Sequence, residues 1–183
     1  VGSEMCIRDR AHPNIKESQA NKALVDAVSD MEGVAVFNLY ELSQEIVFNI
    51  DEWSKIISDA SAVIYQFPFY WMSAPSLLKK WQDEVFTFLS KTPAVAGKPL
   101  TVVTTTGSEY EAYRSGGRNR FTTDELLRPY QVNAIHSGMS WQTPIVVYGM
   151  GTADAGKNIA EGANLYKQRV EMLIGNSNAG NNW

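Results

Sequence analysis

The chain has one cysteine, Cys6, which leaves no partner for an internal disulfide and no set of thiolates for a metal cluster, so it reads as cytosolic or redox-indifferent. Its two histidines, His12 and His136, are too few for a multi-histidine metal site. No apolar run approaches the roughly 18 residues that a membrane-spanning helix needs. Positive charge is not in excess either: 16 Lys and Arg against 20 Asp and Glu give a net charge of -4. That balance excludes a nucleic-acid binder held by a broad basic field, and any phosphate must be bound locally. The sequence also lacks an internal repeat, a low-complexity tract, a GxxxxGK[ST] run and an aspartate cluster at strand ends, so P-loop and response-regulator readings fail. What is present is 183 residues, 44% apolar and 20% charged, the profile of one globular domain with a proper core.

Apolar runs and helical stripes alternate along the chain. Ser18 to Val28 opens on a hydroxyl cap candidate and sets Ala20, Leu24, Ala27 and Val28 on one stripe, which predicts a first helix. Strands are expected at Val34 to Leu39, Ala62 to Tyr65, Leu100 to Thr104 and Ile145 to Tyr148. Helices are expected over Asp51 to Ala60, from Pro75 through Val85, from Thr122 to His136, and through Ile159, Ala163, Tyr166, Val170 and Leu173. The unbroken hydrophobicity of Ala62 to Tyr65 suits a strand covered on both faces. The alternation predicts an α/β fold, a doubly wound parallel sheet with helices on both faces. Four strands are visible; the first is missing or replaced, because Arg8, Asp9 and Arg10 stand where the centre of the sheet would run.

In such sheets ligands sit outside the carboxyl ends of the strands, which singles out three loops. Ala11 to Asn21 runs into a helix start, where backbone N–H groups, the Ser18 hydroxyl and the positive dipole end stabilise a phosphate monoester; an ordinary helix cap is the plainer alternative. Gln66 to Pro75 carries four aromatics and a methionine, which suits either a flat ring or a packed contact. Thr104 to Glu109 gathers hydroxyls and amides around Gly107. A phosphate seat, an aromatic shelf and a rim of donors at one sheet edge suit a flavin mononucleotide.

Four blocks carry a resemblance: AHP with SxAN at Ala11 to Asn21, PFYWMSAPSLLKKWQDEVF at Pro68 to Phe86, TTTGSE at Thr104 to Glu109, and GMSWQTP at Gly138 to Pro144. With these the chain resembles the flavodoxin-like NAD(P)H:quinone oxidoreductases, above all the bacterial branch that includes the ancillary proteins of glutathione-gated potassium efflux systems. The resemblance implies a flavodoxin-like fold and an FMN cofactor, with FAD as the alternative. It implies that His12, Ser18, Gln19, Ala20 and Asn21 seat the phosphate and ribityl chain, that Pro68, Phe69, Tyr70, Trp71 and Met72 stack on and bond the isoalloxazine, and that Thr104, Thr105, Thr106 and Gly107 form the second flavin loop. TTTG stands where relatives often have TTGG, putting an extra methyl, that of Thr106, at the expected flavin edge. The first ten residues carry no trace of the family's apolar strand and look like a translated adapter. Residues 1–10 are therefore read as a non-native leader, 11–175 as the flavin-binding domain and 176–183 as a frayed polar tail.

The implied chemistry is two-electron hydride transfer from NADH or NADPH through the flavin to a quinone, with amides of the Thr105 to Gly107 region stabilising negative charge near flavin N1 and O2. Trp71, Tyr110 and Tyr113 are the catalytic candidates: Trp71 covers the ring, and the two tyrosines, with a Gly116-Gly117 hinge, wall or lid the substrate. Arg114, Arg118 and Arg120 are candidates for a nicotinamide phosphate. A cytoplasmic homodimer is expected. Two other readings stand beside the enzyme: a regulatory subunit of a potassium efflux membrane protein, peripheral at the inner face of the membrane, and a one-electron flavodoxin carrier.

Overall fold

The computed structural model describes residues 3–8, 15–39 and 47–179, with side chains over 19–39 and 47–175. Six strands occur among them: β1 (Ser3–Arg8), β2 (Val34–Asn38), β3 (Ala60–Pro68), β4 (Pro99–Thr105), β5 (Ser140–Trp141) and β6 (Ile145–Val147). They form one parallel sheet in the order β2-β1-β3-β4-β5, with β6 also pairing β4. This is the 2-1-3-4-5 order of flavodoxin, whose switch point lies between β1 and β3.

Two strands add to the sequence reading. The slot of the first strand is filled: Ser3–Arg8 pairs in parallel with both β2 and β3, Arg8 standing opposite Asn38 and Gln66. A ladder is made of main-chain groups that every residue but proline supplies, so polar residues can occupy it. β5 is two residues long and leaves no periodic trace; with β6 it forms the outer edge, the two separated by Gln142 to Pro144.

The helices also shift. α1 (Ile15–Asp26) begins before Ser18, which thus lies in its first turn and is not the cap. α2 (Ile50–Asp59) is capped by Asn49, whose side chain accepts from Asp51 and Glu52 N–H. α3 (Ser76–Trp81) follows Pro75 at its cap position and passes through a π-helical turn at Gln82–Phe86 into α4 (Thr87–Leu89). The single helix expected from Thr122 is divided into α5 (Thr123–Leu126), opened by a Thr122–Glu125 capping box, and α6 (Arg128–His136). Pro129 explains the break: it has no N–H to give to the preceding turn. α7 (Ala155–Ala179) runs beyond Gly175, where a frayed tail was expected. No proline stops it, and an added turn needs no new nucleus.

Two cores lie on the two faces of the sheet. Trp53, Ile57, Leu78, Trp81, Val85 and Tyr130 pack against Val63, Tyr65, Phe67 and Val102. Leu24 and Val28 of α1 and Tyr166, Val170 and Leu173 of α7 pack against Ala62, Ile64, Val103 and Val147. Among the described residues, no helix is long and apolar enough to cross a membrane.

The fit of α7 on β6 is tight at one point. A Cβ built on Gly162 would lie 2.4 Å from Cγ2 of Val147, whereas one on Gly175 would meet nothing within 4 Å. Gly162→Ala is therefore expected to destabilise the fold by about 1–3 kcal/mol through overpacking. Gly175→Ala should stabilise it by up to about 1 kcal/mol through helix propensity. Urea midpoints of the two variants moving in the same direction would contradict this packing.

Candidate functional site

The carboxyl ends of β3 and β4 lie level, because Phe67 stands opposite Thr104 and Pro68 opposite Thr105. The ladder continues one step into the loop, where Phe69 N–H donates to Thr105 C=O at 2.8 Å. The chain then turns back on itself: Tyr70 N–H donates to Ser73 C=O at 2.7 Å and Ser73 N–H to Tyr70 C=O at 3.1 Å. The two residues between, Trp71 and Met72, have φ of +46° and +62°. Left-handed backbone costs a side-chain-bearing residue roughly 1–2 kcal/mol, and such turns usually hold Asn and Gly. Packing does not compensate at Trp71, which is 86% exposed, and Tyr70 and Met72 are also open to solvent. Pro68 to Met72, expected to cover a flat ring, thus form the end of β3 and a turn whose Tyr70, Trp71 and Met72 side chains face solvent.

Behind the shelf are buried polar groups. Asn21 Nδ2 donates to Thr105 Oγ1 at 3.1 Å, and Gln66 Nε2 donates to Asn21 C=O at 2.9 Å, joining α1, β3 and β4. Asn21 Oδ1 and Thr104 Oγ1 are buried with no partner among the described residues. A lone buried acceptor costs roughly 1–3 kcal/mol until a donor reaches it. Of the rest of the expected phosphate seat, Ala20 is buried, Gln19 is exposed, Ser18 is placed by its backbone, and His12 lies outside the described residues.

The β4 loop is knitted to the loop after β6. Thr106 N–H donates to Val147 C=O, Met150 N–H to Thr106 C=O and Gly151 N–H to Gly107 C=O, each at 2.9 Å. The Thr106 hydroxyl donates to Ser108 C=O at 2.8 Å and its side chain is buried, so its methyl belongs to the interior and not to an open edge. With the Thr106 N–H committed, Gly107 N–H is a donor left without a partner among the described residues.

A tyrosine wall flanks this loop. Tyr110 and Tyr113 lie on a 3₁₀ turn, Tyr110 half-exposed and Tyr113 only 5% exposed. Tyr148 packs against both, at 5.3 Å and 5.9 Å between ring centroids, and its hydroxyl is 2.6 Å from Thr123 Oγ1. Tyr113 meets Phe69 edge-on at 6.0 Å. Tyr113 is thus packed between Phe69 and Tyr148, with its side chain buried. Gly116-Gly117 is not a free hinge, since a Cβ on Gly117 would lie 2.3 Å from Glu111 C=O and Asn119 N–H bonds Ala112 C=O. Arg118 donates to Ser108 Oγ at 2.7 Å and faces Glu109 at 3.9 Å, while Arg114 stands over the Tyr110 ring. A groove of about 430 Å³ opens beside the wall between Tyr110, Tyr148, Lys157 and Glu161. Gln66, Tyr130 and Tyr148 escaped the sequence reading. Gln66 carried a signal, as the polar end of an apolar strand; the two tyrosines meet their partners only through the fold.

A parallel sheet in this order is matched by the comparisons with known proteins. Residues 10–170 match the family described as having a flavodoxin-like fold. The chain belongs to that family. Among its relatives, the glutathione-regulated potassium-efflux system ancillary protein KefG of Serratia proteamaculans is 36% identical over 142 residues, 75% of this chain and 78% of the relative. The structure of general stress protein 14 of Treponema denticola in complex with FMN aligns with a TM-score of 0.82 at 27% identity, over 93% of this chain and 99% of that one. An NADPH-quinone reductase from P. pentosaceus aligns with a TM-score of 0.76 at 27% identity, over 91% and 96% of the two chains.

Burial raises the pKa of Tyr113 and Tyr148 above the usual phenol range, and that of Tyr65, in the core behind the shelf, further still. Each is held neutral in the folded chain. Their contribution to stability is thus complete below the unfolded phenol range of about 10 and is lost as pH rises beyond it. Urea midpoints should fall above pH of about 10, and fall less steeply in Tyr65→Phe; equal slopes for the two proteins would contradict the assignment.

Proposed function

We propose that this flavodoxin-like chain is an FMN-dependent NAD(P)H:quinone oxidoreductase. The observation that carries the proposal is the strained, solvent-facing Tyr70–Ser73 turn after β3, with an exposed Gly107 N–H after β4 that has no partner among the described residues, on the edge where this fold takes its ligands. Strain of this kind persists at sites of function, where the surroundings hold it. The residues fit an aromatic ring with a polar rim: a flat apolar cover, a free amide and the lone buried oxygens of Asn21 and Thr104. The likeness to the FMN-bound and quinone-reductase structures supports the same reading.

In this reading Pro68, Phe69, Tyr70, Trp71 and Met72 cover the isoalloxazine, and Thr104 to Gly107 line its rim. The α1 start, with His12, Ser18, Gln19, Ala20 and Asn21, holds the ribityl chain and phosphate. Bound FMN supplies the hydride acceptor and donor through which one NAD(P)H reduces one quinone to the hydroquinone. The Gly107 amide donates to negative charge as it develops, at an oriented N–H that needs no reorganisation. Trp71 excludes water from the reacting face, and Tyr110 bounds the space where nicotinamide and quinone alternate, with Tyr113 supporting it from behind. A homodimer, in which a second copy completes that space, and a cytoplasmic location belong to the same proposal. The likeness to KefG supports a second role, as an ancillary subunit of a potassium efflux protein at the inner face of the membrane.

The chain should take up one FMN and turn over quinone with NAD(P)H, giving parallel double-reciprocal lines. Trp71→Ala should lower kcat/KM for quinone roughly tenfold, about the worth of one aromatic contact, and leave the melting temperature nearly unchanged. A wild-type chain that stays colourless under excess FMN would sink the proposal. A melting temperature that collapses in Trp71→Ala would show the indole to be core. Co-purification with an efflux membrane protein tests the second role.

A further inference from the structure

We propose that Tyr130, on α6, is a positioning residue: it clamps the strained Tyr70–Ser73 turn and so holds the Trp71 indole over the candidate site. Its hydroxyl accepts from Ala74 N–H at 3.1 Å and lies 3.3 Å from Ser73 Oγ. Its ring is anchored independently, 5.3 Å from Phe67 and 6.4 Å from Tyr65 between centroids, and the residue is 5% exposed. The hydroxyl is thus a fixed point of the core presented to a loop 57 positions away in sequence.

The turn needs such a point. With Trp and Met at its two left-handed positions it relaxes unless the surroundings determine it. The Trp71 side chain, almost wholly in solvent, provides no hold. On the entry side the Phe69 N–H bond to Thr105 fixes the backbone. On the exit side the next residue after Ala74 is Pro75, which has no N–H, so the Ala74 donor is the last main-chain handle before α3, and Tyr130 takes it. That the held face covers a flavin rests on the function proposed above; the clamp itself does not.

Tyr130→Phe keeps the ring and removes the hydroxyl. In the chain without added FMN, amide hydrogen exchange at Ser73 and Ala74 should rise at least tenfold while β3 and the melting temperature change little. Tyr65→Phe, which takes a hydroxyl from the same core without touching the turn, should leave those two amides unchanged. With FMN, Tyr130→Phe should raise the cofactor Kd several-fold. Adding Met72→Gly should recover part of that loss, because glycine takes the left-handed backbone without strain. Unchanged exchange at Ser73 and Ala74 in Tyr130→Phe, or an equal rise in Tyr65→Phe, would overturn the clamp. A wild-type chain that binds no FMN would sink the flavin reading, and the exchange comparison would still decide the clamp.

Discussion

β3 pairs with β1 on one side and β4 on the other, and from Ala62 to Phe67 no residue of it is more than 2% exposed. Val63, Tyr65 and Phe67 face one core while Ala62 and Ile64 face the other. A slip of one residue against β4 would exchange the two sets, so the register is held by burial on both faces at once. That register is what brings Pro68 level with Thr105, and with it the starting points of the aromatic turn and the threonine loop. The site's geometry follows from the core, since neither loop has a comparable apolar anchor of its own.

At the edge the local rules are broken. Two residues with large side chains take left-handed backbone, the largest exposed aromatic stands in water, and two buried oxygens lack donors, all within the reach of two loops. Such features are not confined to this edge: Arg120 is also left-handed, and Ser61, Trp81, Gln82 and Asn119 each carry a buried polar atom with no partner among the described residues. What marks this edge is that the strained turn and the exposed indole coincide there. The tyrosine wall differs from the shelf: its rings interlock and its loop is tied by main-chain bonds, so it is a rigid boundary.

The family match covers residues 10–170, a span that includes the shelf and the threonine loop. Family membership and the fold therefore agree. The structure adds which groups are spent and which are free: the Thr106 amide is committed to Val147, and the Gly107 amide is not.

The sequence by itself determined the α/β class, the helix and strand order from Val34 to Leu173, and the three loops of interest, because periodicity and apolar runs report local burial directly. Trp71, Thr105 and Asn21 were singled out within those loops by the resemblance to a family and not by the pattern. The sequence did not reveal β1 or β5, since main-chain pairing leaves no mark in side-chain polarity, nor the break at Leu127, nor the extent of α7. Only the tertiary structure decided that Tyr113 packs between Phe69 and Tyr148, that the Thr106 side chain is buried, and that Tyr130 reaches Ala74. Those are relations between residues far apart in the chain, and their distances are set by how the sheet and helices pack, which no local pattern encodes.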